Sequence, residues 1–522
     1  MMFMDPTSKT SISKRITLFS FTALFVIIGI TGIAFSLYLI HRAGSLPMYA
    51  IGIFFLLLSF VSGFFSIFTA YTYYRSHSCN DYISEIQKKL KPLSRHPTVT
   101  IAVPVFNENP SIVKKNLSRL LQIDYPRNRL SYYLLDDSTK ADIRSDLERF
   151  CKKNGINYLH RDNREGFKGG AFNNMLKHAK GEFIALFDYD EYLINKGFLK
   201  ELLPYFESDK NLSYVQTEKK PFYGGFFSES ANLFDAFFFK FVQQARLLNN
   251  TAIFAGSCGI IRRSMLDAVG GFPEYVTEDT FFSFESDLHQ YKGVYVPKIY
   301  AKGMPIVTFS ALAKQQWRYN YGGTQFLWYF LQNGKSKKSL PRISSMDYLT
   351  HGLGLNYLSA VLILFTLASV LLVFFAFPFT HLTLGDLANI GSASTYLRLL
   401  GMLSLVLSLV IPIFMTKVYF KSFKKGLMLF ALNFSLAFIR TKAALSAILH
   451  KDPKPYWSKS GEVIKNNLAA AIGSTRTELA FAFGLFALGS FAIYQSNIAG
   501  GIWLLWYGAM YGMTTVLFYK YG

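Results

Sequence analysis

Two carboxylates stand two positions apart at the end of an apolar stretch, and they are the first candidates for chemistry in this chain. Residues 183–187 are typical of a buried strand, and Asp188 and Asp190 follow them directly. If the chain stays extended there, side chains two positions apart point the same way, so both carboxylates face one point beyond the strand. Such oxygen pairs suit Mg²⁺ or Mn²⁺, ions that commonly bridge substrate phosphates. A polar turn that closes a buried strand is the plainer alternative.

The segments around this pair alternate between strand-like and helix-like patterns. This alternation predicts a parallel sheet, whose ligands lie beyond the carboxyl ends of the strands. Strands are predicted over residues 98–106, 130–135, 156–159 and 183–187, and helices from near Ser111, over 141–154 up to Gly155, and from 166 to 180 with Gly181 as the stop. Acidic residues follow the first, second and fourth strands: Glu108, Asp136, Asp137, Asp188 and Asp190.

Lys168 lies in a glycine-rich turn, residues 166–170, in front of a predicted helix. Backbone N–H groups at a helix start, together with a cation, can meet a phosphate group. The turn lacks the spacing of a Walker motif and of a dinucleotide-binding fingerprint. A basic turn close to an acidic metal site nevertheless suits a nucleoside diphosphate, because the metal and Lys168 would share its negative charge.

Five apolar stretches are long enough to span a bilayer, and a sixth, 479–494, is slightly short but can extend through Gln495. Together they flank a more polar central segment. The predicted spans cover residues 16–40, 48–71, 355–379, 399–415, 479–494 and 502–518, the first as an anchor rather than a signal peptide. We expect two transmembrane helices in residues 1–75, a globular domain ending in interfacial helices in 76–344, and a transmembrane region of about four spans in 345–522. Arg440 and Lys442 interrupt the apolar stretch 427–439, which favours an interfacial or re-entrant segment near 427–449.

Basic residues precede the first predicted span and cluster in two loops, around 417–425 and 451–465. The positive-inside rule therefore places the termini, these loops and the globular domain on the cytoplasmic side of the cell membrane, with the lipid bilayer as a partner. The net charge of +22 is explained by such loops beside anionic headgroups. No basic stretch has the context of a nucleic-acid module, so no nucleic-acid partner is expected. Cys79, Cys151 and Cys258 are too widely spaced for a disulfide framework or a Cys-x-x-Cys metal site.

Four motifs occur in the order Asp136-Asp137, Asp188-Tyr189-Asp190, Thr277-Glu278-Asp279 and Gln315-Gln316-Trp317-Arg318-Tyr319. This ordered set resembles the Asp-Asp, Asp-x-Asp, Thr-Glu-Asp and Gln-x-x-Arg-Trp pattern of the membrane-embedded family-2 glycosyltransferases, the group that contains cellulose, chitin and hyaluronan synthases. The stretches 103–108 and 168–173 also resemble signposts of that family, and the likeness covers about residues 98–322. Tyr319 departs from the family, whose tryptophan at this position packs at the acceptor sugar.

The resemblance implies a GT-A-like (Rossmann-like) α/β domain, an α-helical transmembrane bundle and an inverting glycosyltransferase. It makes Asp279 the catalytic base and Glu278 its structural or acceptor-positioning partner. The remaining site residues follow by role: Asp188 and Asp190 for the metal; Pro104, Asn107, Glu108, Asp136, Asp137 and Lys168 for the nucleotide; Arg318 for the diphosphate; Gln315 and Tyr319 for the acceptor. Residues 455–460 loosely resemble the loop that closes over nucleotide in the synthases.

Two related functions stay open at this point, both using a nucleotide-sugar donor, with a UDP-sugar favoured. The first is a processive synthase that extends a polysaccharide and threads it through its own spans; the predicted spans after the domain favour it. The second transfers one sugar to a lipid or lipid-linked acceptor at the cytoplasmic face. A transporter with a sensing domain would need ionisable residues inside its spans, and the clear spans hold almost none. The oligomeric state is not predicted.

The aromatic stretch 234–241 contains two charged residues, Asp235 and Lys240. It could line an acceptor channel. Such stripes more often pack in a core or against a membrane surface, and that role is favoured here.

Overall fold

The computed structural model describes residues 30, 32–41, 43–333, 340–375, 413, 416–450 and 466–522. Its central element is one mixed sheet of eight strands in the order β3-β2-β1-β4-β7-β6-β8-β5. The strands are β1 (Val99–Val105), β2 (Leu130–Asp136), β3 (Asn157–His160), β4 (Phe183–Leu186), β5 (Tyr192–Leu193), β6 (Leu212–Pro221), β7 (Gly259–Arg262) and β8 (Lys292–Gly303).

The first four strands pair in parallel, as predicted. Val99 of β1 lies opposite Leu130 of β2 on one side and Phe183 of β4 on the other. Beyond β4 the sheet becomes mixed, because β7 runs antiparallel to both β4 and β6, while β6 and β8 are parallel. The carboxyl ends of β1, β2 and β4 therefore share one edge, where the predicted acidic residues lie.

Helices cover both faces of the sheet and continue into the C-terminal region. Within residues 76–344 they are Cys79–Lys88, Pro110–Leu120, Ala141–Asn154, Phe167–Leu176, Phe198–Ser208, Gly225–Ala231, Leu233–Phe237, Gln243–Leu248, Arg263–Ala268, Glu278–Leu288 and Phe309–Gln332. A π-helical turn, Phe238–Val242, joins two of them, and a 3₁₀ turn spans Arg127–Arg129. The flanking helices are Gly32–His41, Leu46–Ser76, Arg342–Phe375, Phe423–Ile448, Leu468–Ser474, Arg476–Tyr494 and Ile498–Tyr521.

Two helix ends test the predicted glycine stops. Gly155 adopts the left-handed conformation (φ 66°) and ends the helix Ala141–Asn154, as expected. The helix after the glycine-rich turn ends at Leu176 rather than at Lys180, so the role given to Gly181 was wrong. The chain tightens first, because the amides of Lys177 and His178 bond to carbonyls three residues back.

The sheet is buried on both faces, which explains its continuous apolar strands. Ile101 and Val103 of β1 pack with Val113 and Leu147 from two helices on one face. Ala102 points to the other face, where it joins a cluster around Phe172 of the helix Phe167–Leu176. These two cores hold β1, β2 and β4 in register, and so position the loops that follow them.

In the part of the chain that the structure describes, two helices are long and apolar enough to cross a membrane: Phe423–Ile448 and Arg476–Tyr494. The helix Arg342–Phe375 adds a third if its two arms, bent by 59°, form one span. Gly32–His41 and Leu46–Val61 are shorter apolar helices, and Ile498–Tyr521 covers the predicted stretch 502–518 without meeting the same hydropathy criterion. The predicted span 399–415, most of 16–40 and the loop 455–460 lie outside the described residues.

The prediction of an interfacial or re-entrant hairpin near 427–449 was wrong in its shape. The chain forms one continuous helix there, Phe423–Ile448, with Arg440 buried inside the protein. The charge that suggested an interruption is satisfied by Gln316 of the helix Phe309–Gln332 and by Asn433 of its own helix, so it does not break the helix.

Candidate active site

Asp188 lies in the loop after β4, at the end of the sheet where the carboxyl ends of β1, β2 and β4 meet. Its Oδ1 accepts a hydrogen bond from Lys168 Nζ at 2.6 Å, and its Oδ2 lies 2.7 Å from Ser257 Oγ and 3.2 Å from Lys219 Nζ. Burial alone would raise the pKa of Asp188, but the two ammonium groups hold it well below its ordinary value. The Asp188 carboxylate therefore contacts the ammonium groups of two lysines.

The backbone at this point is a turn rather than the extended segment assumed from the sequence. The amide of Glu191 donates to the carbonyl of Asp188 at 3.1 Å, and the amide of Asp188 donates back to Glu191 Oε2 at 2.9 Å. Glu191 is itself buried and forms a salt bridge of 3.1 Å with Lys219. The two acids of Asp-x-Asp are thus brought together by a closed turn and a third carboxylate.

Asp190 differs from Asp188 because it forms no salt bridge among the described residues. Partial burial, and then the charges of Asp188 and Glu191, raise its pKa to about 7. No group of three or more His, Cys, Asp or Glu side chains gathers in metal-binding geometry in the described part of the chain. One or two carboxylates completed by substrate phosphates are, however, a usual Mg²⁺ site, and an uncompensated carboxylate in an acidic turn fits such a cation.

The Thr-Glu-Asp motif begins the helix Glu278–Leu288, so both acids lie in its first turn. Thr277 holds the N-cap position, but its hydroxyl makes no capping bond. Its side chain packs against Gly322, where a Cβ would lie 2.4 Å from the Thr277 methyl group. Burial raises the pKa of both acids, that of Glu278 to about 7.

Gly256 brings Asp279 and Lys168 to the same point. This glycine has φ 78°, and a Cβ on it would lie 3.0 Å from Asp279 Oδ2 and 3.6 Å from Lys168 Nζ. Lys168 Nζ also donates to the Gly256 carbonyl at 3.0 Å. Lys168 therefore lies between the Asp188 turn and the Thr-Glu-Asp helix, and the structure brings these two motifs together.

Gln315, Arg318 and Tyr319 share one face of the helix Phe309–Gln332, as their spacing requires. Gln315 Nε2 donates to the Tyr319 hydroxyl at 3.2 Å. Arg318 is exposed, and its charge interacts with those of Glu278, Asp188 and Asp279. This helix therefore adds a cation and two polar side chains to the same edge.

Two of the predicted nucleotide-binding residues follow β1 or lie in it. Pro104 is part of β1, opposite Leu135. Asn107 lies in the left-handed region, with φ 55°. Its Oδ1 accepts hydrogen bonds from the amides of Thr139 and Lys140 at 3.0 and 3.3 Å, and these bonds connect the loops after β1 and β2. A third, Glu108, bonds to Tyr189, and burial raises its pKa. The chain after β1 thus reaches the Asp188 turn through Glu108.

The acidic pair at the end of β2 is already engaged within the fold. Asp136 is fully buried and accepts from the Ser138 amide at 2.8 Å and the Tyr158 hydroxyl at 2.6 Å. Asp137 forms a two-bonded pair with Arg161, at 2.8 and 2.6 Å. Both residues lie at the predicted end of the sheet, and both carboxylates are already hydrogen-bonded to other residues of the protein.

Sequence reasoning gave no site role to Glu191, Lys219 or Ser257, and it disfavoured the acceptor-channel alternative for the stretch that contains Asp235. Asp235 interacts with Lys219, hydrogen-bonds to Gln315, and has a pKa raised by burial. The aromatic stretch 234–241 does pack in the core through Phe239, as favoured, but Asp235 belongs to the site. A charged residue inside an aromatic run was the available signal.

Comparisons with known proteins find one matching family model and several similar proteins. Residues 100–270 match the family model described as Glycosyl transferase family 2. A cellulose synthase catalytic subunit [UDP-forming] of Pseudomonas fluorescens is 34% identical over 236 residues, which cover 44% of this chain and 31% of that protein. A probable glucomannan 4-beta-mannosyltransferase of Oryza sativa is 30% identical over 243 residues, covering 43% and 41%. This chain thus spans well under half of the length of these relatives.

One solved structure supports the fold. A mannosyltransferase from Pyrobaculum calidifontis, solved in complex with GDP-Man and Mn²⁺, superposes with a TM-score of 0.50 at 17% identity, covering 73% of this chain and 98% of the other. At that identity the likeness establishes the GT-A-type fold alone.

Proposed function

We propose that this chain transfers a sugar from a nucleotide-sugar, with UDP-sugars favoured, onto a growing polysaccharide, because residues 100–270 match the family-2 glycosyltransferase model and a cellulose synthase catalytic subunit is among the similar proteins. The transfer inverts the sugar's anomeric centre and takes place at the cytoplasmic face of the cell membrane. Secretion of the product through the protein's own spans completes the proposal.

One observation carries it: Lys168 lies between the acids of the β4 turn and those of the Thr-Glu-Asp helix. Its Nζ is 2.6 Å from Asp188 and bonds to the carbonyl of Gly256, the residue against which Asp279 packs. A donor diphosphate and an acceptor hydroxyl must meet at one sugar carbon, so a transferase needs both acidic groups within one site.

On the donor side, Asp190 and the adjacent Asp188 would hold a divalent cation, Mg²⁺ or Mn²⁺; the relative from P. calidifontis is known with Mn²⁺ and GDP-Man. When bound, such a cation supplies charge neutralisation for a leaving diphosphate. Arg318 can bind the same phosphates through two parallel N–H groups, as a lysine cannot. The nucleoside pocket would be shaped by residues at the ends of β1 and β2: Pro104, Asn107, Glu108, Asp136 and Asp137.

On the acceptor side, Asp279 is the proposed base. Its Oδ1 accepts from the Thr280 amide at 2.8 Å, which fixes the carboxylate and leaves Oδ2 toward Gly256. In one displacement, the acceptor oxygen bonds to the sugar carbon and gives its proton to Asp279. The bond to the diphosphate breaks as its electron pair leaves with the phosphate. Glu278 is more buried, at 6% exposed, and suits a supporting role.

A second candidate function has one observation in its favour. Tyr319 stands where the family has tryptophan, and it is joined by Gln315 and Asp235 into a polar group rather than a flat stacking surface. Transfer of a single sugar to a lipid or lipid-linked acceptor would suit such a pocket.

A donor screen separates these two functions. The full-length protein in nanodiscs is incubated with Mg²⁺ or Mn²⁺ and each of a set of labelled UDP- and GDP-sugars, and the products are sized. Long saccharide products support the synthase, and discrete lipid-soluble products support single transfer. No nucleotide release and no labelled product from any donor would reject both.

A further inference from the structure

Arg440 is a buried cation that the proposed reaction does not yet use. It lies in the helix Phe423–Ile448 with 1% of its surface exposed, and no carboxylate forms a salt bridge with it among the described residues. A guanidinium in such a place is costly unless its donors are satisfied, and ionisable groups in apolar helices usually serve a function.

The partners of Arg440 are neutral and specific. Its Nε and Nη2 donate to Gln316 Oε1 at 3.1 and 2.7 Å, and its Nη1 donates to Asn433 Oδ1 at 3.1 Å. The guanidinium also lies 4.8 Å from the ring centroid of Phe234. One side chain of a candidate membrane span thus contacts two separate segments of the glycosyltransferase domain.

In both of those segments, the residue that contacts Arg440 is adjacent in sequence to a residue on the acceptor side of the site. Gln316 follows Gln315, and Phe234 precedes Asp235. Successive helical side chains diverge by about 100°, so Gln315 and Asp235 can face the site while their neighbours face Arg440. Gln315 and Asp235 hydrogen-bond to one another, and Gln315 bonds to Tyr319.

We propose that Arg440 is a positioning residue for the acceptor side of the site. Its contacts with Gln316 and Phe234 fix the spacing of Gln315, Tyr319 and Asp235. The helix Phe423–Ile448 therefore sets the geometry of the acceptor site as well as anchoring the domain. This proposal rests on the glycosyltransferase function proposed above. It requires the fork of an arginine, because a lysine can neither share two donors with one amide oxygen nor stack flat on a ring.

The chain offers a matched control for simple helix–domain adhesion. Lys425, on the same helix, forms a 3.3 Å salt bridge with Glu229 of the helix Gly225–Ala231. This bond also ties the helix to the domain, but it touches neither Gln316 nor Phe234. Breaking it tests adhesion without disturbing the acceptor residues.

The first arm of the test does not depend on activity. Hydrogen exchange of the full chain in nanodiscs is compared between wild type, R440M, R440K, Q316M and K425Q. We expect faster exchange in residues 231–237 and 313–320 for R440M, R440K and Q316M, with β1 and β4 unchanged, and no such effect for K425Q. Unchanged exchange in both segments, or equal change in the K425Q protein, would overturn the proposal.

The second arm measures the reaction. R440M should weaken transfer to acceptor by about tenfold or more, mainly through acceptor KM, while UDP affinity and donor hydrolysis change less than about twofold. The R440M/Q316M double variant should transfer sugar no more slowly than the slower of the two single variants, because both substitutions remove the same Arg440–Gln316 contact. Equal loss of UDP binding and transfer would show a general structural role. A wild type that transfers no sugar would reject the proposed function, and the exchange arm would still decide the role of Arg440.

Discussion

Replacing Asp279 by asparagine removes the proposed base and little else. Asparagine has the same shape, and its side-chain oxygen can still accept from the Thr280 amide, which lies 2.8 Å from Asp279 Oδ1. Lys168 keeps its bonds to Asp188 and Gly256, so the donor side should be undisturbed. The variant therefore separates proton transfer from nucleotide binding.

The expected effect can be bounded. A positioned general base contributes about 10²–10⁴-fold, so kcat should fall by that factor, which corresponds to about 3–5 kcal/mol of barrier. UDP affinity should change less than about twofold, because Asp279 is assigned to the acceptor side. The negative charge of Asp279 also helps to raise the pKa of Glu278, so that pKa should fall in the variant.

The assay is sugar transfer together with a UDP titration, on wild type, D279N and E278Q. E278Q is the matched control, because it removes the neighbouring carboxylate, which is more buried, and should cost less in kcat than D279N. Parallel loss of UDP affinity and turnover in D279N, or a kcat close to that of wild type, would refute the assignment of the base.

Substitutions at Asp190, Tyr319 and Asp287 have further measurable consequences. D190A should abolish metal-dependent transfer; metal-dependent turnover at the wild-type rate would contradict its role. Y319W should lengthen the saccharide products if aromatic stacking limits acceptor retention, and unchanged product sizes would oppose that idea. Burial raises the pKa of Asp287 from 3.8 to about 8, although the Tyr348 hydroxyl bonds to it, so the folded protein loses stability as pH rises between those values. D287N should remove that loss, with a Tm gain over wild type near pH 8.5 and little difference near pH 4; equal Tm differences at both would contradict it.

Local patterns predicted those parts of the site that local geometry controls. The parallel strands, the Gly155 stop and the acids at the ends of β1, β2 and β4 follow from hydrophobic runs and turn residues. The closed turn at Asp188 does not, because it depends on Glu191 returning a bond to the backbone. An Asp-x-Asp pattern alone looks the same in an extended chain.

The other site residues arrive through tertiary packing. Lys219 comes from β6 and Asp235 from a helix, and no spacing in the sequence links either of them to Asp188. Arg440 suggested a broken helix because a charge in an apolar stretch is costly, but Gln316 of another helix meets that cost, together with Asn433 two turns earlier in the same helix. Tyr158 and Arg161, which bond to Asp136 and Asp137, likewise come from more than twenty residues away in the sequence.

The central claim is that the acids of the β4 turn and of the Thr-Glu-Asp helix serve one nucleotide-sugar site. The most direct test is a cryo-EM structure of the full chain in nanodiscs with UDP and Mn²⁺. We expect a cation on Asp190 against the diphosphate, Arg318 on the phosphates, and Asp279 facing the open acceptor side. A diphosphate bound away from Asp190, or Asp279 in contact with the uridine, would contradict it.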